Sequence, residues 1–362
     1  MASQTPLPTT MRAWGHNLAG LPNQVLHPTP NIPIPSLQPT ELLIKVSYAA
    51  LNPGGPAIMN LGPMIFRTKP SIPEMDFAGT ILSLGPSVQN FVIGDRVFGN
   101  ISIGLHFNKG RGALAEYVVV PFDRVVEIPV SMKDEEAAGL GIVGCSALAL
   151  IDRAGPGEGD RVLVNGASGG IGTLLVQMLK DVVGEKGKVV ALCSGSNVEI
   201  VKGLGADEVI DYRKHHPVEK YLAERFSKDQ FDCIIDAYGS QDLWLHCAFY
   251  LKPGKPFIPI ALSVPSYGWS SFLWMVGTIM SNTWKPKFLG GVDRPYAQTN
   301  GIADPMNMQR LARMVEEKKL KILIDSIWSF DDVLKAYEKM MTKHARGKVV
   351  IRMDRAESRV YS

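Results

Sequence analysis

The segment Arg161 to Lys180, RVLVNGASGGIGTLLVQMLK, concentrates residues that could do chemistry. An apolar run leads straight into Gly166, Gly169, Gly170 and Gly172, and an apolar-faced helical pattern starts there. A diphosphate needs this order. Glycine permits the tight turn, backbone without a Cβ permits close approach, and the helix start offers N–H groups with partial positive charge. Ser168 adds a hydroxyl donor. Set between a strand and a helix, the glycines point to a bound dinucleotide. Two other readings stay open. One is a purely structural turn. The other is the nucleophile elbow of a hydrolase, because Gly166-Ala167-Ser168-Gly169-Gly170 fits G-x-S-x-G, with Asp325 and His344 following in triad order. His344 lies in the polar stretch MTKHARGK, and no HGGG-type segment precedes the elbow.

The kind of dinucleotide is written after the next apolar run, KVVALC (188–193), which ends in Ser194-Gly195-Ser196-Asn197. NAD sites place a carboxylate there, about 20 residues beyond the glycines, for the ribose 2′-hydroxyl. Here the first carboxylate, Glu199, falls inside the following helical stretch. A turn of hydroxyls and an amide leaves room and donors for a 2′-phosphate, so NADP(H) is expected. No Arg or Lys occupies the turn, and Arg213 and Lys214 are the nearest candidates to face the phosphate charge. Ser194 and Asn197 could equally cap the helix. Cys145, Cys193, Cys233 and Cys247 lie far apart without a C-x-x-C pair, which fits a reducing compartment. His215-His216 reads as a solvated loop.

The elements that must carry these residues change texture near residue 130. Before it, LLIKVSYAAL (42–51), FAGTILSLG (77–85), DRVFG (95–99), ALAEYVVVP (113–121) and RVVEIP (124–129) read as strands of an irregular β-rich domain. From 161 to 261 short apolar runs, RVLVN, KVVALC, EVID, FDCIID and FIPIAL, alternate with helical stretches at 171–180 and 197–204. Runs without alternation indicate strands buried on both faces of a parallel sheet. Asn197 is placed to cap the second helix, and Gly203 and Gly205 to close it. After about 290, helices at 306–320 and 330–341 and a strand at 348–353 are expected, without further βαβ units. Asp331 or Asp332 could cap the later helix. One β-rich domain, residues 1–135 completed by 292–362, would thus enclose a doubly wound parallel-sheet domain at 136–291.

The chain has 362 residues, 46% hydrophobic and 20% charged, with a net charge of +3. That is too small and dispersed for a nucleic-acid footprint, and no basic run appears. The opening MASQTPLPTT lacks the apolar core of a signal peptide. The most apolar stretch, GWSSFLWMVGTIM (268–280), falls short of the roughly 20 residues that span a bilayer. It reads as a buried helix or pocket cover; membrane contact is possible but not expected. A cytoplasmic protein results.

ALNP (50–53), PEMDFAG (73–79), GDRV (94–97), ALAEYVVVP (113–121), EEAAGL (135–140), GDRVLVNGASGGIG (159–172), LGADEVIDY (204–212), YLKPG (250–254), FDDVLKAYEKM (330–340) and ARGKVVI (345–351) occur in this order. On them the chain resembles the medium-chain dehydrogenase/reductase superfamily, in its zinc-free quinone oxidoreductase and enoyl reductase branch. The resemblance covers nearly the whole chain and implies a GroES-like β-rich domain plus a Rossmann domain, with cofactor and substrate in the cleft between them. It implies Ser168, Gly169, Gly170 and Ile171 at the pyrophosphate, Ser194 and Asn197 at the 2′-phosphate, and Tyr212 by the adenosine phosphate. It further implies Asn52 near the nicotinamide and Lys348 near the cofactor ribose. Zinc-dependent relatives carry a Gly-His-Glu segment and a four-cysteine lobe, whereas Met75 stands in the histidine's place and no cysteine cluster exists. Asn-Pro-Gly-Gly (52–55) also departs from the pattern, since Gly55 replaces an acidic residue usual in quinone reductases.

Without zinc, the expected reaction is hydride delivery to a carbon conjugated with a carbonyl, in a quinone or an α,β-unsaturated ketone, aldehyde or thioester. Such acceptors spread charge onto oxygen, so placement and one or two donors suffice. The proton comes from water or from a side chain, for which Tyr48, on the strand leading into ALNP, is the first candidate. Tyr267 and Tyr296 follow. Its alternative is a half-buried strand tyrosine. Trp269, Phe272, Trp274, Trp284 and Phe288 make either a hydrophobic substrate wall or ordinary core. A bulky apolar small molecule is therefore the expected partner, taken by a monomer or homodimer. A NADPH-binding, non-catalytic or membrane-associated factor on the same fold is the second reading.

Overall fold

The computed structural model describes residues 8–353 except positions 63 and 300. The start of the polar leader, residues 1–7, lies outside the described residues.

The first seven strands are β1 (Thr10–Gly15), β2 (His27–Pro33), β3 (Glu41–Ala50), β4 (Asp76–Leu84), β5 (Arg96–Asn100), β6 (Tyr117–Pro121) and β7 (Val125–Glu127). Five more follow, β8 (Arg161–Asn165), β9 (Lys188–Cys193), β10 (Glu208–Asp211), β11 (Cys233–Asp236) and β12 (Phe257–Pro259), and the chain ends with β13 (Ile324–Ser329) and β14 (Lys348–Arg352). β1 and β2 form an antiparallel pair. β8 to β12 form a parallel sheet in the order β10-β9-β8-β11-β12, as the unbroken apolar runs predicted. Val162, Leu163 and Val164 at its centre are fully buried, because helices cover both faces. Strand order reverses at β8, which places the glycine turn at the carboxyl end of the switch-point strand, where such sheets bind ligands.

The other large sheet runs β13-β14-β3-β4-β5-β7, with β6 on β3. It joins both ends of the chain, giving the GroES-like unit beside the Rossmann-like one. One expectation fails here. β13 pairs parallel with β14 through the helix Val333–Met341, so a further βαβ unit does follow residue 290. Ile324–Ser329 (IDSIWS) is half-exposed and mixes polar with apolar residues, leaving no apolar run to read. Residues 295–299 run beside β12, with Phe257 N donating to Pro295 O at 2.9 Å and Ala297 N to Phe257 O at 3.2 Å. The helix Pro305–Glu316 packs Leu311 against Gly144 on the helix Gly141–Ala154, where a Cβ would lie 2.5 Å from Leu311 Cδ1. A division at residue 291 therefore cuts through material that covers the parallel sheet.

The two units meet at Gly347, just before β14. Its amide donates to Ser168 O at 3.1 Å, and it forms a parallel bridge with Gly169. Gly347 has φ +93°, and a Cβ there would sit 2.1 Å from Leu323 O. Gly347→Ala is expected to cost about 1–2 kcal/mol from the left-handed backbone alone, more with the clash, and to lower the melting temperature. An unchanged melt would show that this junction is not fixed as described.

Candidate functional site

The glycine turn forms because each glycine meets a separate constraint. Gly166 leaves β8 at φ +74°, and a Cβ on Gly172 would lie 2.1 Å from Gly166 O, so the helix can start this close only without a side chain. The helix Gly170–Val183 is capped by Gly169, which has no side chain to fill the amide cluster. Thr173 N reaches Gly169 O at 3.0 Å, which leaves the amides of Gly170, Ile171 and Gly172 without an acceptor inside the helix. This is a cradle for an anion, and a diphosphate fits it.

Asn197 and Ser194 do not cap, contrary to the alternative left open by the sequence. The helix Val198–Gly203 begins at Asn197, yet neither side chain makes a capping bond. Instead the buried Asn197 amide donates through Nδ2 to Ser168 Oγ at 2.9 Å and to Ser194 Oγ at 3.1 Å. One side chain thus ties the glycine turn to the end of β9. Both serine oxygens accept from Asn197, which leaves the Ser168 hydroxyl hydrogen to an acidic oxygen, while Ser194 Oγ also lies 3.4 Å from Ser196 Oγ. Tyr212 is exposed and joins the same edge through its amide, which donates to Cys193 O at 3.2 Å. Glu199 turns to Lys202, at 3.5 Å, and Asp211 takes the Arg213 amide at 3.0 Å.

A second cluster, buried, lies where β3 and β14 meet. Lys348, 4% exposed, donates Nζ to Asn52 Oδ1 at 2.6 Å and to Leu51 O at 2.9 Å, and stands 3.9 Å from Asp76 Oδ2. Its stem passes the glycine turn, since a Cβ on Gly170 would lie 3.2 Å from Lys348 Cδ. The ammonium is therefore committed to Asn52 rather than turned outward. Asn52 Nδ2 donates to Asp76 Oδ2 at 3.0 Å, and Asn52 N to Glu74 Oε2 at 3.0 Å. Asp76 Oδ1 also accepts from Asn100 Nδ2 and from Ile142 N. Tyr337 donates its hydroxyl to Glu74 Oε1 at 2.8 Å. Burial lowers the pKa of Lys348, against the pull of Asp76 and Glu74, and raises that of Asp76. Burial also pushes Glu74 up to about 7, opposed by Tyr337, Lys348 and the Asn52 amide.

Glu74, Asp76 and Tyr337 went unassigned in the sequence; the available signal was two acids within three residues of an otherwise apolar segment, PEMDFAG. The space beside Gly55 holds the Glu74 carboxyl, whose Oε1 lies 2.1 Å from where a Gly55 Cβ would stand. Tyr48 packs half-buried on β3, its ring 5.9 Å from the Arg352 guanidinium, and no hydrogen bond links it to this cluster among the described residues. Tyr296 is core, packed on Trp244 and Phe257. Tyr267 lies in a half-buried loop whose carbonyl accepts from Asn60 Nδ2 at 2.7 Å. The aromatic stretch is not core. The helix Trp269–Trp284 exposes Trp269, Trp274 and Trp284, and Phe288 beyond it is 84% exposed. The hydrolase triad does not assemble. Ser168 accepts from Asn197, Asp325 takes the Arg346 amide at 2.8 Å, and His344 is exposed. Met75 packs into the β-rich core, and among the described residues no three His, Cys, Asp or Glu side chains converge as a metal site.

Raised carboxyl pKa values favour the protonated folded state. Glu74 contributes most to stability below its unfolded value of 4.5, and that contribution is lost as pH rises through about 7. Glu74→Gln is therefore expected to melt higher relative to the native protein at pH 8 than at pH 5. Equal differences at both pH values would mean that Glu74 does not titrate in this window.

Comparison with known proteins agrees with this geometry. Residues 38–130 match the model of the alcohol dehydrogenase GroES-like domain, and residues 204–351 that of a zinc-binding dehydrogenase. The chain is 33% identical to the trans-enoyl reductase poxH of Penicillium oxalicum, covering 95% of this chain and 98% of that protein. It is 30% identical to the human mitochondrial NAD(P)H oxidoreductase RTN4IP1, over 97% and 91% of the two chains. The solved quinone oxidoreductase of Coxiella burnetii superposes with a TM-score of 0.74 at 26% identity, over 95% and 99%. With two family domains in order and near-complete coverage by such relatives, the chain belongs to the medium-chain dehydrogenase/reductase superfamily, a family of oxidoreductases that use a nicotinamide cofactor.

Proposed function

We propose that the chain is a zinc-independent, NADPH-dependent reductase of conjugated carbonyl compounds, enones, enoyl thioesters or quinones, of apolar character. The observation that carries this reading is the Asn197 amide bonded to both Ser168 and Ser194. It ties a hydroxyl of the glycine turn to one at the end of β9, where an NAD site would hold a carboxylate. Relatives named trans-enoyl reductase and quinone oxidoreductase support the substrate class. Zinc independence rests on the donor set, since Met75 and the dispersed, buried cysteines offer no tetrahedral site. The free cysteines also suit a cytoplasmic setting.

Reduced dinucleotide, when bound, supplies the hydride. The chain supplies position. Gly170, Ile171 and Gly172 present backbone amides to the diphosphate, Gly169, its own amide taken by Gly166 O, keeps the approach clear, Ser168 and Ser194 present hydroxyls, and Tyr212 flanks the adenosine side. Asn52, fixed by Asp76 and Lys348, orients the nicotinamide end. Glu74 and Asp76 are sealed from solvent, so the proton that completes the reduction comes from water or from Tyr48.

One feature favours a second, surface-binding role on the same fold. Trp269, Leu273, Val276, Met280 and Trp284 recur at helical spacing and are exposed, a stripe suited to an apolar contact. Cosedimentation with liposomes, together with no oxidation of NADPH by any conjugated carbonyl, would favour that role over the enzyme.

Titration by fluorescence tests the cofactor assignment. NADPH is expected to bind at least tenfold tighter than NADH, a difference of about 1.4 kcal/mol. Asn197→Ala should abolish most of that preference while leaving NADH binding within about twofold. Equal affinity for the two nucleotides in the native protein would refute the 2′-phosphate reading. Tyr48→Phe separates the proton sources, since kcat is unchanged if water donates and falls if the phenol does.

A further inference from the structure

Glu74 combines two features that each cost stability. Its backbone sits at φ +64°, the left-handed region that side chains rarely adopt, at a cost on the order of 1 kcal/mol or more. Among the described residues, the other non-glycine positions with positive φ, Asn31, Lys318 and Lys343, are all exposed, whereas Glu74 is 4% exposed. Its second cost is a carboxyl group removed from water. Strain held at a buried acid persists when the surroundings over-determine it, and here they do so on the far side of Asn52. Glu74 holds the Asn52 backbone amide, while Asp76 holds the Asn52 side chain. The other carboxyl oxygen is taken by Tyr337, from the helix that leads to β14 and Lys348. The side chain occupies space that Gly55 leaves open, and any Cβ at position 55 would overlap it.

We infer that Glu74 is a positioning residue for the reduction: its carboxyl sets Asn52, and with it the Asn52–Lys348 pair, for the nicotinamide end of the cofactor, and positions 55 and 74 share one slot with room for a single carboxyl group. The inference rests on the dinucleotide reading above. A merely structural acid would be replaceable by any residue that relaxes the backbone. A positioning acid must be present, and it can arrive from either side of the slot.

The test compares the native protein with E74Q, E74G, G55D and the double variant E74G/G55D. NADPH oxidation is followed with a medium-chain 2-alkenal and a benzoquinone, using the acceptor that the native protein reduces. NADPH fluorescence titration and thermal melts accompany every variant. E74Q should lower kcat at least tenfold with KM within about threefold. It should also flatten the pH dependence of kcat between pH 6 and 8, where Glu74 titrates facing Tyr337, Lys348 and Asp76. E74G, freed of the backbone penalty but leaving the Tyr337 hydroxyl and the Asn52 amide unpaired, should still fold cooperatively yet lose kcat to the same degree. G55D should lose both stability and activity, because its side chain meets Glu74. The double variant should recover kcat to within about threefold of native. If E74G keeps native kcat, or the double variant is no more active than E74G, the positioning role is overturned while the cofactor reading stands. If the folded native protein binds no NADPH or reduces neither acceptor, the functional reading falls and this assignment with it.

Discussion

A single desolvated ammonium group, that of Lys348, organises this molecule. Removing it from water costs several kcal/mol in any real protein interior unless counter-charge and hydrogen bonds replace the lost hydration. Asn52, Leu51 and Asp76 supply that replacement from the strand-end and turn segments of the β-rich unit. The preceding residue, Gly347, meanwhile touches the glycine turn of the parallel sheet. Two adjacent residues thus fix how the phosphate cradle sits relative to Asn52. The geometry of the cleft follows from where one buried positive charge can be satisfied.

The two halves of the site solve opposite electrostatic problems. At the cradle, neutral groups are arranged to welcome negative charge: helix-start amides, and hydroxyls whose oxygens are already occupied by Asn197. Behind Asn52, charged groups are packed together and sealed, so their protonation is set by burial and by one another. Such a cluster holds orientation well and exchanges protons with the substrate poorly.

How much of this could be read from the residues depended on how local the signal was. The five parallel strands were legible because each is an unbroken apolar run, and burial on both faces leaves no polar position to confuse the pattern. The cradle was legible because its glycines are consecutive with the strand and helix they join. β13 was not, because half of Ile324–Ser329 faces solvent and its pairing partner lies beyond an intervening helix. The capping alternative for Asn197 failed because only one of its partners, Ser194, is local, whereas the other, Ser168, is 29 positions away. Glu74 was invisible for the same reason: its meaning depends on the vacancy at Gly55 and on Tyr337. The aromatic stretch misled because composition predicts burial on average, and the helix Trp269–Trp284 leaves its apolar stripe outside.

The order of synthesis gives the position of β14 a consequence for folding. β3 and the residues around Asn52 are made well before β14, which pairs with Tyr48–Ala50 of β3, and before the ammonium that faces Glu74 and Asp76. Until then the nascent β-rich unit holds two acids in a forming core without the Lys348 ammonium, and the Tyr48–Ala50 end of β3 lacks its β14 partner. Its completion must wait for the whole parallel sheet to be made.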